Sequence, residues 1–321
     1  MRFLLGTDEA GYGPNLGPLV VAATAWQVPR EILPEAMYKA LRRGVCTKAY
    51  ELDAKKLAIA DSKLLYKPGC SLAPIERGVL AALSLLERLP SSWRTIWQAL
   101  DGHLHDAFAL EPWHAGYDEP LPIDLPDGCL SAICPRLRDC FAAAAIKLVD
   151  IQAAVVFPSH FNDLVDAHDN KAEALSLTTL RLARRLIEQL PGDDPVQIMC
   201  DKHGGRCRYA ALLQHVFPDD LVRVVSEHRE LGVYELRFGG RQLEFHFLVK
   251  GERMLPTALA SMTAKYLREL AMRPFNTFWQ SHVPGLRPTA GYPTDSKRFL
   301  ADILAAKTRL QIGDRLLWRE R

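Results

Sequence analysis

The chain has 321 residues, 48% of them hydrophobic and 24% charged, and a net charge of +2, the make-up of a globular protein of one large or two modest domains. No stretch approaches the roughly 18 uninterrupted apolar residues of a membrane helix, and the first strand leaves no room for a signal peptide, so a membrane role is set aside and a cytoplasmic location is expected. The seven cysteines, Cys46, Cys70, Cys129, Cys134, Cys140, Cys200 and Cys207, contain no Cys-x-x-Cys pair, which argues against a disulfide framework or a zinc site.

The charge is unevenly spread. Residues 253 to 321 hold 12 Lys and Arg against 5 Asp and Glu, a net +7, and the preceding residues hold 28 against 33, a net −5. A basic region of that size suits a phosphate backbone, and suits a solvated surface equally well.

At the start of the chain, Phe3-Leu4-Leu5-Gly6-Thr7 runs into Asp8-Glu9 and then Ala10-Gly11-Tyr12-Gly13-Pro14. This reads as a buried strand that delivers charge to its own end. Neighbouring side chains on a strand point to opposite faces, so Asp8 and Glu9 cannot both face the core. Taken alone, the pair is equally an ordinary acidic junction. The apolar run from Leu16 to Trp26 predicts a second strand antiparallel to the first. Residues 31 to 45 have helical spacing, and Ala60-Asp61-Ser62-Lys63-Leu64 is a polar knot where a helix can begin. Helical patterns follow over 75 to 89 and 92 to 100, with Ser91 as N-cap of the second. Pro112, Pro120, Pro122, Pro126 and Asp127-Gly128 make residues 111 to 128 a loop and mark the boundary of an inserted region.

Ile151 to Phe157 predicts a strand, followed by a helix with Leu175, Leu182, Leu186 and Leu190 on one stripe, closed by Pro191-Gly192. Val196 to Cys200 is a further strand and runs directly into Asp201. A strand, helix, strand succession implies a right-handed parallel crossover, and such sheets gather ligands at the carboxyl ends of their strands, where Asp8 and Asp201 lie. Residues 207 to 217 read as helix, and 221 to 249 as strands with a hairpin at Gly239-Gly240. From Pro256 a helix carries Leu255, Leu259, Met262, Tyr266 and Leu270 as a buried stripe. Glu269 projects from its edge, where a carboxylate is costly unless something positive meets it.

Six motifs in this order resemble the type 2 ribonuclease H (ribonuclease HII) family. They are Asp8-Glu9-Ala10-Gly11-Tyr12-Gly13-Pro14, Gly17-Pro18-Leu19-Val20-Val21, Asp61-Ser62-Lys63, Asp201 at a strand end, Lys250-Gly251-Glu252 with Ala260-Ser261-Met262-Thr263-Ala264-Lys265-Tyr266-Leu267-Arg268-Glu269, and Gly291-Tyr292-Pro293-Thr294. The resemblance covers about residues 2 to 66 and 150 to 300. It implies an α/β, RNase H-like fold: a central mixed five-stranded sheet flanked by helices, with a mainly helical insertion and a C-terminal helical region. The implied layout is a catalytic domain of residues 1–66 and 150–300, an inserted region of residues 67–149 and a basic segment of residues 301–321.

The activity implied is hydrolysis of the RNA strand of RNA/DNA hybrids, or cutting at ribonucleotides embedded in duplex DNA, by a monomer using two divalent cations, Mg²⁺ or Mn²⁺. All-oxygen ligands suit those ions. The resemblance assigns Asp8, Glu9, Asp201 and Glu269 as catalytic metal ligands, and Gly11, Tyr12, Gly13, Lys63, Lys250 and Tyr292 as substrate-binding residues. Exposed backbone groups at a glycine turn suffice to sense a 2′-hydroxyl.

Three positions depart from the family pattern. Tyr12 stands where Arg or Lys is usual, Glu269 where Asp is usual, and Lys202-His203-Gly204-Gly205-Arg206 follows Asp201 in place of a single Gly. His203 is open to a product- or phosphate-facing role and to a structural one. Two other readings remain: a nucleic-acid-binding protein of the same fold with impaired catalysis, and an actin-like or sugar-kinase-like ATPase with a phosphate loop at residues 6 to 13.

Overall fold

The computed structural model describes residues 1–321 except 49–54, 102–107, 109, 169, 204 and 321; Gly204 of the basic turn thus lies outside the described residues. In chain order the strands are β1 (Arg2–Ala10), β2 (Leu19–Val28), β3 (Val45–Cys46), β4 (Leu57–Ala58), β5 (Lys147–Val156), β6 (Val196–Asp201), β7 (Arg223–Glu227), β8 (Leu231–Phe238) and β9 (Arg241–Leu248). The helices are α1 (Met37–Ala40), α2 (Ser62–Leu65), α3 (Ala73–Leu85), α4 (Trp93–Leu100), α5 (Cys129–Ala143), α6 (Pro158–His168), α7 (Lys171–Glu188), α8 (Ala210–Val216), α9 (Leu255–His282), α10 (Pro293–Arg309) and α11 (Asp314–Leu317).

Seven strands form one mixed sheet in the order β5-β2-β1-β6-β9-β8-β7, while β3 and β4 make a separate parallel pair. β1 is antiparallel to β2 and parallel to β6, and β6 is parallel to β9. The expected five-stranded sheet is therefore corrected to seven. β5, β2, β1, β6 and β9 make a mixed unit that the β8–β9 hairpin and edge strand β7 extend. β7 falls within the stretch 221 to 249 read as strands, though Val224 and Val225, 47% and 49% exposed, show no inside-outside alternation that would mark its bounds.

Helices cover both faces. α3, α4, α5 and the first turns of α9 share one hydrophobic cluster with Leu4, Val20, Ala22 and Trp26 on one side of the sheet. α6, α7 and α8 bury Leu5, Val21, Ile198 and Phe245 on the other. The second half of α9 packs with α10 and α11 in a third cluster around Phe275, Trp279 and Phe299. Long α9 lies close across β1 because Gly6 has no side chain: a Cβ there would come within 2.2 Å of the Pro256 carbonyl carbon. Among the described residues no helix is long and apolar enough to cross a membrane.

The helices between residues 67 and 149 join this core. Trp93 Nε1 donates to the Leu270 carbonyl at 2.8 Å, and fully buried Glu76 accepts from the N–H groups of Ile123, Asp124 and Leu125 and from Tyr266 Oη. One carboxylate thus fixes the proline-rich loop against α3 and α9. Two local expectations differ. The helical spacing of 31 to 45 yields only a 3₁₀ turn over Pro34–Ala36 and the four-residue α1. The N-cap of α4 is Ser92, not Ser91, because Ser92 completes a capping box with Thr95.

Candidate active site

The site begins with strand register. β1 and β6 run parallel with Thr7 beside Cys200, so the next residue on each strand, Asp8 and Asp201, lies toward the same carboxyl end of the sheet. Asp201 lies opposite Leu248 of β9. Just beyond β9 the backbone turns at Lys250, in the left-handed region at φ 59°, and the Gly251 N–H donates to Asp201 Oδ1 at 2.9 Å. Glu252 follows in the same turn. From the other flank, Asp61 caps α2 by accepting from the Lys63 N–H at 3.0 Å. Ser261 on α9 donates to Ser62 Oγ at 3.1 Å, and its hydroxyl eases the charge on Asp8.

The electrostatics show which groups share this space. Asp8 is held well above the usual carboxylate range, first by burial, then by repulsion from Glu9, with Asp201 adding to it. Glu9 is pushed up to about 7 by burial and then by Asp201, with Glu252 also raising it and Lys63 opposing. Asp201 is raised by burial against the pull of the Gly251 and Lys202 N–H groups and of Lys63. Burial also raises Glu252, with Asp201 and Asp61 adding to it. Burial works against a charged Lys63, but Asp61, Asp8, Glu252 and Asp201 together raise its ammonium. Four carboxyls of the strand ends and the β9 turn, plus Asp61, therefore repel one another around one lysine.

Glu269 stands apart from this group, with partners of its own. It lies eight residues beyond Ser261 on α9, about 12 Å along the helix axis. There Oε1 accepts from Lys265 Nζ at 2.5 Å and Oε2 from Tyr66 Oη at 3.0 Å. The positive charge that its place on the stripe demanded is Lys265, with Arg268 Nη1 at 4.0 Å. It borders a cavity of about 490 Å³ with Tyr66, Arg273 and Asn276. The residue that takes the fourth place beside the cluster is Glu252, whose signal was the Lys250-Gly251-Glu252 motif.

The other expected site residues divide in the same way. Gly11 (φ 91°), Tyr12 and Gly13 form the turn that leaves the carboxylates. Tyr12 is half-buried, with Lys171 Nζ 4.8 Å from its ring centroid. Lys63 is exposed beside the carboxyls, and Lys250 is exposed at the β9 turn. Tyr292 is 46% exposed at the start of α10, and the carbonyl of the preceding Gly291 accepts from the Asn15 N–H at 2.8 Å, which puts this turn against the first one. His203 is buried, with Nδ1 3.0 Å from Ser176 Oγ and its pKa depressed to about 3 by burial, so it is a neutral packing residue. Asp61, Ser261, Arg268 and Arg319 are the further contributors that the sequence reading did not assign. Arg319 lies in the segment after α11, and nothing in the residues around it signals its place.

Among the described residues no three His, Cys, Asp or Glu side chains stand in the arrangement of a ready-made metal cage. The donor chemistry nevertheless suits a hard cation. The groups offer oxygen alone, they are anions when ionised, and their mutual repulsion is what a divalent ion would relieve.

No family model matches the chain, and no curated protein matches it. Solved structures do. Ribonuclease H2 from Pyrococcus horikoshii OT3 is 14% identical over 98% of this chain and 92% of its own, with a TM-score of 0.48. RNase HII in the PCNA:RNase HII complex from Archaeoglobus fulgidus is 14% identical over 99% of this chain and 94% of its own, at 0.43. Bst-RNase HIII in complex with Mn²⁺ is 14% identical over 99% of this chain and 66% of its own, also at 0.43.

Proposed function

We propose that this chain is a metal-dependent endonuclease of the ribonuclease H type, acting on the RNA strand of RNA/DNA hybrids or at ribonucleotides embedded in duplex DNA. The observation that carries the reading is the register that sets Asp8 on β1 and Asp201 on β6 side by side, with the Gly251 N–H bond to Asp201 bringing the Glu252 turn to them; Glu9 follows Asp8, and Lys63 feels the charge of Asp8, Asp201 and Glu252. These four carboxylates are the proposed metal ligands, in place of the set with Glu269. Bound Mg²⁺ or Mn²⁺ would supply an activated water and stabilise the leaving oxygen of a phosphodiester.

The chain's own groups have the remaining roles. Lys63 offers an exposed ammonium to a phosphate. The glycine-spaced turn presents backbone N–H groups to the ribose, and exposed Tyr292 offers a ring face for stacking. Lys250, exposed at the turn before Glu252, is a second candidate phosphate contact. In this reading the protein works on nucleic acid as a monomer in the cytoplasm, and residues 67–149 support the catalytic unit of residues 1–66 and 150–300.

The test is cleavage of two labelled duplexes, a full RNA/DNA hybrid and DNA carrying one ribonucleotide, in Mg²⁺ and in Mn²⁺, with Asp201→Asn as control. Cutting that needs the ion and disappears in the variant supports the proposal. Retained hybrid binding with no cutting under either ion would replace the enzyme with a binding module.

A further inference from the structure

Two arginines lie beneath the turn at residues 11–14 almost out of contact with water: Arg268 is 1% exposed and Arg319 is 2% exposed. They reach it from distant parts of the chain, Arg268 from α9 and Arg319 from the segment after α11. Arg319 Nη2 donates to the carbonyls of Gly11, at 2.5 Å, and Pro14. The backbone N–H of Arg319 donates to the Asn15 carbonyl at 2.8 Å, and Trp318 bridges to Leu16 as a strand partner. Arg268 Nη2 donates to the carbonyls of Leu16, at 3.3 Å, and Ala290, at 3.0 Å.

Such a pair is expensive. Nε and Nη1 of both side chains have no hydrogen-bond partner, and among the described residues Arg319 has no carboxylate partner. Burial of two guanidiniums in this state is costly, and an apolar pair of similar volume commonly serves stability as well or better. What the arginines hold gives them a purpose. In a trans peptide the C=O and the following N–H point in opposite directions, so a Gly11 carbonyl turned in to Arg319 directs the Tyr12 N–H away from it. The N–H groups of Tyr12 and Gly13 have no protein acceptor among the described residues.

We infer that Arg319 is a positioning residue for substrate: by holding the carbonyls of Gly11 and Pro14 it aims the Tyr12 N–H at the 2′-hydroxyl of a ribonucleotide bound beside the carboxylates. Arg268 fixes the far side of the same turn and ties it to Ala290, two residues before Tyr292. The inference rests on the proposed function, which gives the turn its substrate.

The experiment compares affinities for a DNA duplex with one ribonucleotide and for the matching all-DNA duplex, in an Asp201→Asn parent and in the same chain with Arg319→Met or Arg319→Lys. Amide hydrogen exchange at Tyr12 and Gly13 is followed in parallel. Loss of one aimed hydrogen bond should cut the ribose preference by about tenfold in Arg319→Met. Exchange at the two amides should change, the all-DNA affinity should hold within about twofold, and Arg319→Lys should recover part of the preference. An unchanged preference with unchanged exchange overturns the inference, and so does an equal loss for both duplexes. Should Arg319→Met fail to fold, Arg319→Lys decides, since a single ammonium cannot reproduce the guanidinium geometry and full wild-type behaviour then overturns the claim. A parent with no ribose preference would sink the proposed function and this inference together, whereas a preference that survives in Arg319→Met sinks the inference alone.

Discussion

The Gly251 N–H donates to Asp201 Oδ1 at 2.9 Å and so binds the turn after β9 to the end of β6. This one bond sets Glu252 beside Asp201 and leaves Glu269, 17 positions later in the chain, to α9 and Tyr66. Glu252→Gln is therefore expected to cut the ion-dependent rate by more than about 100-fold, the upper end for loss of a group that merely supports a metal ligand. Glu269→Gln, which keeps an acceptor for Tyr66, is expected to cost less than about tenfold. Steady-state cleavage and Mn²⁺ titration of both variants decide it, and the reverse order of effects would return Glu269 to the ligand set.

The turn beside the carboxylates tests backbone geometry separately from charge. Gly11 has φ 91°, and a Cβ there would lie 2.5 Å from the Pro18 carbonyl oxygen and 2.6 Å from Arg268 Nε, whereas a Cβ on Gly13 meets nothing within 4 Å. Gly11→Ala should destabilise the fold by about 2 to 4 kcal/mol, and Gly13→Ala by less than about 1 kcal/mol. Urea midpoints of the two variants provide the measurement, and equal midpoints would contradict the turn described here.

Glu76 is 0% exposed and accepts four hydrogen bonds, three of them from consecutive backbone N–H groups of the proline-rich loop. Glu76→Ala strands those donors and is expected to cost about 3 to 5 kcal/mol. Limited proteolysis should then cut between residues 115 and 128 sooner than in the parent. A variant with unchanged stability and unchanged cleavage would show that the loop holds itself.

His114 supplies a pH test away from the carboxylates. Burial among Trp93, Phe108, Trp113 and Phe157 depresses its pKa to about 3, with Arg94 adding to the effect. Its acidic neighbour Glu111, 3.6 Å away, is held well above the usual carboxylate range by the same burial. A depressed folded-state pKa means that the contribution of His114 is complete above its unfolded value of about 6.5 and is lost as pH falls from there toward 3. Glu111 has the opposite sign, since its raised pKa favours the fold at low pH. Denaturant unfolding from pH 7 to pH 4 should therefore show an acid loss that His114→Phe flattens, and an identical slope in that variant would refute the assignment.

The legible parts of the molecule are those governed by neighbours in sequence. The run from Phe3 to Asp8, the antiparallel return from Leu19, and Val196 to Asp201 all carry local patterns of apolar strands ending in acid, and they place Asp8 and Asp201 together. The α9 stripe likewise put Glu269 on an edge that needs a cation, and Lys265 supplies it one helical turn away. Periodicity could not say which acid shares the space of Asp201, because that depends on where the β9 turn closes. Nor could it identify Arg319, whose partners Gly11 and Pro14 are more than 300 positions away. Within residues 221 to 249, read as strands, the edge strand β7 has its own bounds hidden, because its exposed residues show no hydrophobic alternation.

The contributors to this site come from widely separated times in the making of the chain. Asp8 and Glu9 leave the ribosome first, Asp201 and Glu252 much later, and Arg319 close behind the last helix. No early stretch holds a usable set of ligands, and the turn is not clamped until its distant arginine arrives. Under the proposed function, cutting waits on Glu252, and the choice of ribose over deoxyribose waits longer, on Arg319.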